Sequence, residues 1–229
     1  MIKIAVSGSK GKMGSRILDL AKEDQELKVT GEFDIDGKAE ESIASCDCLI
    51  DFTTPKATME HLAVCEKNKK AFVIGTTGLS DAEKAKIKEA STNIPVVLSP
   101  NMSVGVNVLF KLVEDASKFL GGEYEISILE AHHAEKKDAP SGTAKEMEKI
   151  VKAAKSNDMD VTINSVREGE IVGEHTITFE SDVDLIEITH SAKTRDIFAK
   201  GALSAAKFIA GKKSGLFTMK DVLGLGAKE

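Results

Sequence analysis

The opening stretch Ile2-Lys3-Ile4-Ala5-Val6-Ser7-Gly8-Ser9-Lys10-Gly11-Lys12-Met13-Gly14 decides how the first half of the chain is read. Ile2 to Val6 is short, apolar and partly β-branched, which suits a strand buried on both faces of a parallel sheet. Gly8, Gly11 and Gly14 follow, and Met13, Ile17, Leu18 and Ala21 then fall on one helical face. Strand, glycine turn and helix is the setting in which a glycine motif binds a dinucleotide. The helix start would offer free N–H groups to a pyrophosphate, with Gly11 and Gly14 permitting close approach and tight helix packing. The expected cofactor contacts here are Gly8, Ser9, Lys10, Gly11, Lys12 and Met13. A second strand, Leu27 to Phe33, ends at Asp34, about 20 residues past the last glycine, where a carboxylate bonds the adenosine ribose. A loop aspartate can fall there by accident, but the full order of strand, turn, helix, strand and acid favours a cofactor site.

The alternation continues downstream. Cys48 to Phe52, Ala71 to Ile74 and Pro95 to Leu98 read as strands. Helices are expected from Pro55 to about Lys67 and after Ser80, where Glu83 completes a capping box. Units of this kind predict an α/β fold: a Rossmann-type doubly wound parallel sheet. Ligands in such sheets bind beyond the carboxyl ends of the strands. Gly75-Thr76-Thr77 and Ser99-Pro100-Asn101-Met102 occupy two of those ends, although either segment alone reads equally well as turn chemistry.

The second half turns on Glu130-Ala131-His132-His133-Ala134-Glu135-Lys136-Lys137-Asp138-Ala139-Pro140-Ser141-Gly142-Thr143-Ala144. An alternating apolar run from Tyr124 leads in, and a helical run from Ala144 to Lys155 leads out. The polar cluster therefore sits where a strand becomes a helix, a common place for chemistry. Histidine's ordinary pKa of about 6.5 suits proton donation near neutral pH, Lys136 supplies a cation, and Ser141-Gly142-Thr143 open a helix whose N–H groups favour an anion. Ser141 could equally be a plain N-cap. Acid, cation and anion nest together indicate a small anionic substrate.

These residues carry a resemblance. Glu-Ala-His-His-x-x-Lys-x-Asp-Ala-Pro-Ser-Gly-Thr-Ala resembles the signature of the dihydrodipicolinate reductases of bacterial lysine biosynthesis, also called 4-hydroxy-tetrahydrodipicolinate reductases. The resemblance spans nearly the whole chain. It implies reduction of 4-hydroxy-tetrahydrodipicolinate, by way of dihydrodipicolinate, to tetrahydrodipicolinate with NADH or NADPH. It implies His132 as proton donor with Lys136 assisting, and His133, Ser141, Gly142 and Thr143 as ligands of a substrate carboxylate. Gly75, Thr76, Thr77, Ser99, Pro100, Asn101 and Met102 resemble the family's cofactor contacts. Met102 stands where phenylalanine is frequent, and Ile35 where some members carry an arginine. Arg195 is a weaker candidate for an anion contact. The region from Arg167 to His175 is shorter than in some members.

After Lys155 the pattern changes. Val161 to Arg167, Glu174 to Glu180 and Leu185 to Ser191 are strand-like without intervening helices, which predicts a second α+β domain with a mixed or antiparallel sheet. The expected division is a dinucleotide-binding domain over 1–103, rejoined by 196–229, and a substrate-binding and oligomerisation domain over 104–195. The resemblance implies a homotetramer built through the second sheet.

Composition sets bounds. The chain has 229 residues, 30% charged and 41% hydrophobic, with net charge -6 and both signs interspersed. Nothing there suggests nucleic acid or an anionic membrane as partner. Cys46, Cys48 and Cys65 have no zinc-like spacing and read as reduced thiols of a cytoplasmic protein. No apolar run reaches about 18 residues, so no membrane span is expected, nor does Met1–Val6 resemble a signal peptide. Three other readings stay open: a nucleotide-sensing regulator, a dehydrogenase of another small acid, and a metal-dependent hydrolase using Glu130, His132, His133 and Asp138. No metal is expected, because adjacent histidines on a strand point apart.

Overall fold

Alternating side chains of the first strands bury in two directions, and a sheet covered on both faces results. A computed structural model describes residues 1–35, 37–155 and 158–226; the expected return segment 196–229 therefore ends on three positions outside the described residues. The chain divides into two compact units, Met1–Val104 with Asp196–Glu229, and Gly105–Arg195.

In the first unit β1 (Ile2–Ser7), β2 (Leu27–Phe33), β3 (Cys48–Asp51), β4 (Ala71–Ile74), β5 (Pro95–Leu98) and β10 (Gly215–Phe217) form a sheet in the order β10-β5-β4-β3-β1-β2. Every neighbouring pair is parallel. On one face Ile4, Val6, Cys48, Ile50 and Val73 pack under α1 (Lys12–Lys22) and α7 (Asp196–Ile209). On the other, Ala5, Leu49, Phe72 and Ile74 pack under α2 (Ala39–Ser45), α3 (Pro55–Asn68) and α4 (Asp81–Ala90). The chain reverses its winding direction between β1 and β3, so the crevice expected of such sheets lies at their carboxyl ends. Gly14 fixes how α1 meets β1: a Cβ there would lie 2.1 Å from the Gly8 carbonyl oxygen. The sequence reading missed α2, which buries only Ile43, and β10, which has three residues.

In the second unit β6 (Glu125–His132), β7 (Thr162–Arg167), β8 (Glu174–Glu180) and β9 (Leu185–Ser191) form a sheet in the order β7-β6-β8-β9. It is mixed: β6 and β7 run parallel and the other pairs antiparallel. Helices α5 (Val104–Phe119) and α6 (Gly142–Ala154) supply Val106, Leu109, Phe110, Val113, Ala144, Met147 and Val151 to its core. Register builds two rows across the inner face. Ile163, Ile128, Ile177 and Ile188 stand side by side, and Ser165, Glu130, His175 and His190 form the next inward-facing row. The two isoleucines with no exposure, Ile128 and Ile177, contribute about 1.5–3 kcal/mol each by burial. The polar row works the other way, since buried polar groups cost stability unless they are paired.

That cost makes stability depend on pH. Burial, reinforced by nearby His132, pushes His175 down to about 4, whereas the unfolded chain should titrate near 6.5. The unfolded state then binds the proton more readily, so His175's contribution is complete above about pH 6.5 and is lost as pH falls toward 4. The full effect is on the order of 3 kcal/mol. Urea unfolding of the wild type between pH 7.5 and 4 should lose about that much more than unfolding of His175→Gln; parallel losses would contradict the buried neutral histidine.

Candidate active site

The expected site residues fall into two groups, one in each unit.

In the first unit Gly8 takes φ 71°, a left-handed conformation that favours glycine, and Gly11 donates to its carbonyl at 2.9 Å. Gly11 is the N-cap of α1, so the N–H groups of Lys12, Met13 and Gly14 open the helix. Asp34, just past β2, receives backbone N–H groups from Ile35 at 2.9 Å and Lys10 at 3.2 Å. Those bonds lower its pKa and keep it ionised. A cavity of about 740 Å³ opens here, lined by Gly8, Gly11, Asp34, Thr53, Lys56 and His61 among others. A glycine turn, an open helix start and an ionised acid around a space of this size fit a nicotinamide dinucleotide.

The other expected cofactor segments are partly committed to the protein itself. The Thr76 hydroxyl accepts from Thr53 N at 3.1 Å and from the Thr58 hydroxyl at 2.8 Å. It therefore ties β4 to the β3–α3 turn, while Gly75 is half-buried and Thr77 exposed. Ser99 closes a turn on the Asn101 carbonyl at 2.8 Å, and Asn101 Oδ1 receives Ser103 N at 2.9 Å. Pro100 is exposed on that turn. The Met102 side chain is core, 2% exposed, and its carbonyl oxygen would lie 1.7 Å from a Cβ at Gly201. An apolar chain at that point fills the space beneath α7.

In the second unit the polar row becomes a network. Glu130 has no exposure. Its Oε2 accepts from His132 Nδ1 at 2.5 Å and Arg167 at 2.9 Å, and its Oε1 accepts from Arg167 at 2.7 Å and Ser141 N at 3.2 Å. Burial alone would raise the Glu130 carboxyl, but hydrogen bonds from Arg167, Ser165 and His132 hold it down at about 2. Burial lowers the pKa of His132 against the upward pull of Glu130. Among the described residues, Nε2 of His132 has no hydrogen-bond partner. The imidazole is thus held at one nitrogen and open at the other. The β7–β8 connection covers this strand end: Glu168 N donates to the His132 carbonyl at 2.9 Å and His133 N to the Ile171 carbonyl at 2.7 Å.

Ser141 is the N-cap of α6 and accepts from Ala144 N at 3.2 Å, while sharing a 3.0 Å hydrogen bond with His175 Nε2. Its hydroxyl is thus tied to the protein at two points. Gly142 is exposed, and a Cβ there would meet nothing within 4 Å, so no neighbour in the protein demands glycine. Thr143 is half-buried on the next step of the helix start. Lys136 pairs with Asp138 at 2.7 and 2.8 Å. His133 is half-buried and Arg195 exposed.

The sequence reading missed Arg167 and His175. Both stand at inward positions of alternating strands, Arg167 after Ile163 and Ser165, His175 before Ile177 and Phe179. A polar residue breaking an apolar face was the available signal. Glu130, His132 and His175 bring ligand-type atoms within 4.8 Å of one another. Both Glu130 oxygens, however, are engaged by the Arg167 fork, which makes the cluster a hydrogen-bonded network, with a cation already in place beside the carboxylate.

Comparison with known proteins agrees across the whole chain. The family described as "Dihydrodipicolinate reductase, N-terminus" matches residues 2–102 and "Dihydrodipicolinate reductase, C-terminus" matches residues 105–223. The 4-hydroxy-tetrahydrodipicolinate reductase of Geotalea uraniireducens is 41% identical over 266 residues, covering 98% of this chain and 100% of its own length. That of Geobacter sulfurreducens is 40% identical with the same coverage. Alignments of 266 positions exceed this chain's 229 residues, so these relatives carry segments it lacks. Among solved structures, dipicolinate-bound dihydrodipicolinate reductase from Paenisporosarcina sp. TG-14 superposes with TM-score 0.81 at 22% identity, covering 95% of this chain and 97% of the other. A probable dehydrogenase from Thermotoga maritima shares the fold at TM-score 0.66 and 12% identity, covering 96% and 92%. With matches over both halves and full-length relatives near 40% identity, the chain belongs to the dihydrodipicolinate reductase family.

Proposed function

We propose that the chain reduces 4-hydroxy-tetrahydrodipicolinate, by way of dihydrodipicolinate, to tetrahydrodipicolinate with NADH or NADPH, in lysine and diaminopimelate biosynthesis. The observation that carries the reading is a histidine bonded at Nδ1 to a buried carboxylate, with no partner for Nε2 among the described residues, on the strand that leads to the start of α6. In this reading residues 1–103 and 196–229 hold the dinucleotide and 104–195 the substrate.

The cofactor supplies a hydride when bound. Gly8, Ser9, Lys10, Gly11, Lys12 and Met13 would hold its pyrophosphate, Asp34 its adenosine ribose, and Gly75, Thr77 and the Ser99–Asn101 turn its other end. His132 delivers the proton that completes reduction, from Nε2. Glu130 steadies the imidazolium before that transfer. Gly142, with Thr143 beside it at the start of α6, would bind one substrate carboxylate, where the helix N-terminus carries about half a positive charge. Lys136 would exchange Asp138, which is 56% exposed, for the substrate carboxylate. His133 lines the same site.

The location proposed is the cytoplasm. Cys46, Cys48 and Cys65 are free and buried, and burial raises all three thiols, Cys46 to about 11, which suits a reducing compartment. No helix among the described residues is long and apolar enough to cross a membrane. A homotetramer is proposed through the outer face of the second sheet, where Leu129, Val166 and Leu185 are 48%, 38% and 51% exposed.

Three outcomes test this reading. His132→Gln should lower turnover by roughly 10²-fold or more with NADH affinity little changed; activity within a few-fold of wild type would remove His132 from its role. Pyridine-2,6-dicarboxylate, a planar dicarboxylate, should inhibit competitively against the substrate. Lys136→Met should weaken that inhibition about tenfold, as loss of a charge-assisted hydrogen bond implies, and Gly142→Val should do so too, because its side chain would block close approach of the carboxylate. Unchanged inhibition in both would move the carboxylate elsewhere. As for the cofactor, Asp34 is ionised and Ile35 beside it is 97% exposed and uncharged. Lys38 is paired with Glu41 at 3.1 Å. NADH should therefore have a kcat/KM at least equal to that of NADPH, and Asp34→Ala should shift the ratio toward NADPH. A clear NADPH preference of the wild type at moderate salt would contradict this.

A further inference from the structure

Glu130 does more than face His132. The same carboxylate accepts Nδ1 of His132 through Oε2 at 2.5 Å and the backbone N–H of Ser141, the N-cap of α6, through Oε1 at 3.2 Å. Arg167 grips both oxygens, at 2.9 and 2.7 Å, and also donates to the Asp138 carbonyl at 2.6 Å. One buried anion is thus bonded to the proton donor and to the first residue of the anion-binding helix start. Its counter-ion holds the loop that carries Lys136. The bland alternative is a structural ion pair. Buried pairs, however, are often no more stabilising than apolar residues of similar volume, and the adjoining row of this sheet is four isoleucines. An apolar residue at 130 would continue that core; what it could not do is hold the imidazole and the helix start together.

We propose that Glu130, clamped by Arg167, is the positioning residue that joins acid to anion nest, fixing His132 with Nε2 as the delivering nitrogen and setting the Ser141 end of α6 on the same carboxylate. The proposal rests on the reading of His132 as proton donor. The groups facing His132 are Glu130 on its own strand, Arg167 on β7, His175 on β8 and Lys136 beyond the strand end. Burial disfavours the imidazolium most, and Lys136 and Arg167 also disfavour it; Glu130 opposes them. Without the Glu130 charge, His132 keeps its proton only at lower pH. The helix start also loses an anchor.

The test begins with the unaltered protein. ¹⁵N imidazole spectra of ¹⁵N-histidine-labelled protein, assigned with His132→Gln, should find neutral His132 protonated at Nδ1, with Nε2 gaining the proton as pH falls. A neutral ring protonated at Nε2 would overturn the proposal whatever the activity. In the second arm Glu130→Gln, checked for folding by NADH binding and thermal unfolding, is assayed from pH 6 to 8.5. Turnover should fall about tenfold or more at pH 8 and less at pH 6, and inhibition by pyridine-2,6-dicarboxylate should weaken about threefold or more. An equal loss at every pH, or inhibition unchanged, would overturn the coupling. If Glu130→Gln does not fold, Arg167→Lys, which keeps the charge and loses the fork, should give the same pH-weighted loss in milder form; a wild-type profile would again count against the proposal. Failure of the functional reading is distinguishable, because an inactive wild type would still yield the His132 tautomer.

Discussion

A buried carboxylate survives as an anion only where enough donors replace the water it gave up. Glu130 meets that condition with the guanidinium of Arg167, the imidazole of His132, Ser165 and a backbone N–H at Ser141. The donors come from three parts of the second unit: Arg167 and Ser165 from β7, His132 from β6 and Ser141 from the start of α6. The register of β6 with β7 and β8 has to be right to within one residue, since a slip would turn Glu130 and His132 to the opposite face. The isoleucine row beside them supplies that register. Apolar packing on one row therefore makes the chemistry of the next row possible.

The first unit answers a different constraint. A dinucleotide needs backbone N–H groups brought close to its phosphates, and side chains stand in the way. The turn after β1 removes them at Gly8, where φ is positive, and at Gly14, where a Cβ would run into the Gly8 carbonyl. The chain's reversal at β1 and β3 opens the crevice beside that turn, and Asp34 at the end of β2 faces the same cavity.

Much of this was legible in the residues. The strands Leu27–Phe33, Ala71–Ile74, Pro95–Leu98, Glu174–Glu180 and Leu185–Ser191 begin and end where their apolar runs do, because Gly, Pro, Ser and Asp punctuate them. The Ser80 capping box forms as its spacing requires. What escaped was short or non-local. Helix α2 has one buried residue and so almost no periodicity. Arg167 and His175 lie far from His132 in the chain and meet it only through strand pairing, which periodicity does not encode. Met102 entered the expected cofactor contacts through the family resemblance; that its side chain packs beneath α7 is a tertiary fact that periodicity does not carry. Family membership was carried by the local stretch Glu130–Ala144, whose spacing is visible in sequence; the network that orders that stretch was not.

The most direct measurement is oxidation of NADH by the purified chain with 4-hydroxy-tetrahydrodipicolinate generated in place, followed with and without pyridine-2,6-dicarboxylate. The account predicts oxidation that depends on the generated substrate and is inhibited competitively by the dicarboxylate. Tight NADH binding without substrate-dependent oxidation would contradict it, leaving a nucleotide-binding protein whose histidine has no proton to deliver.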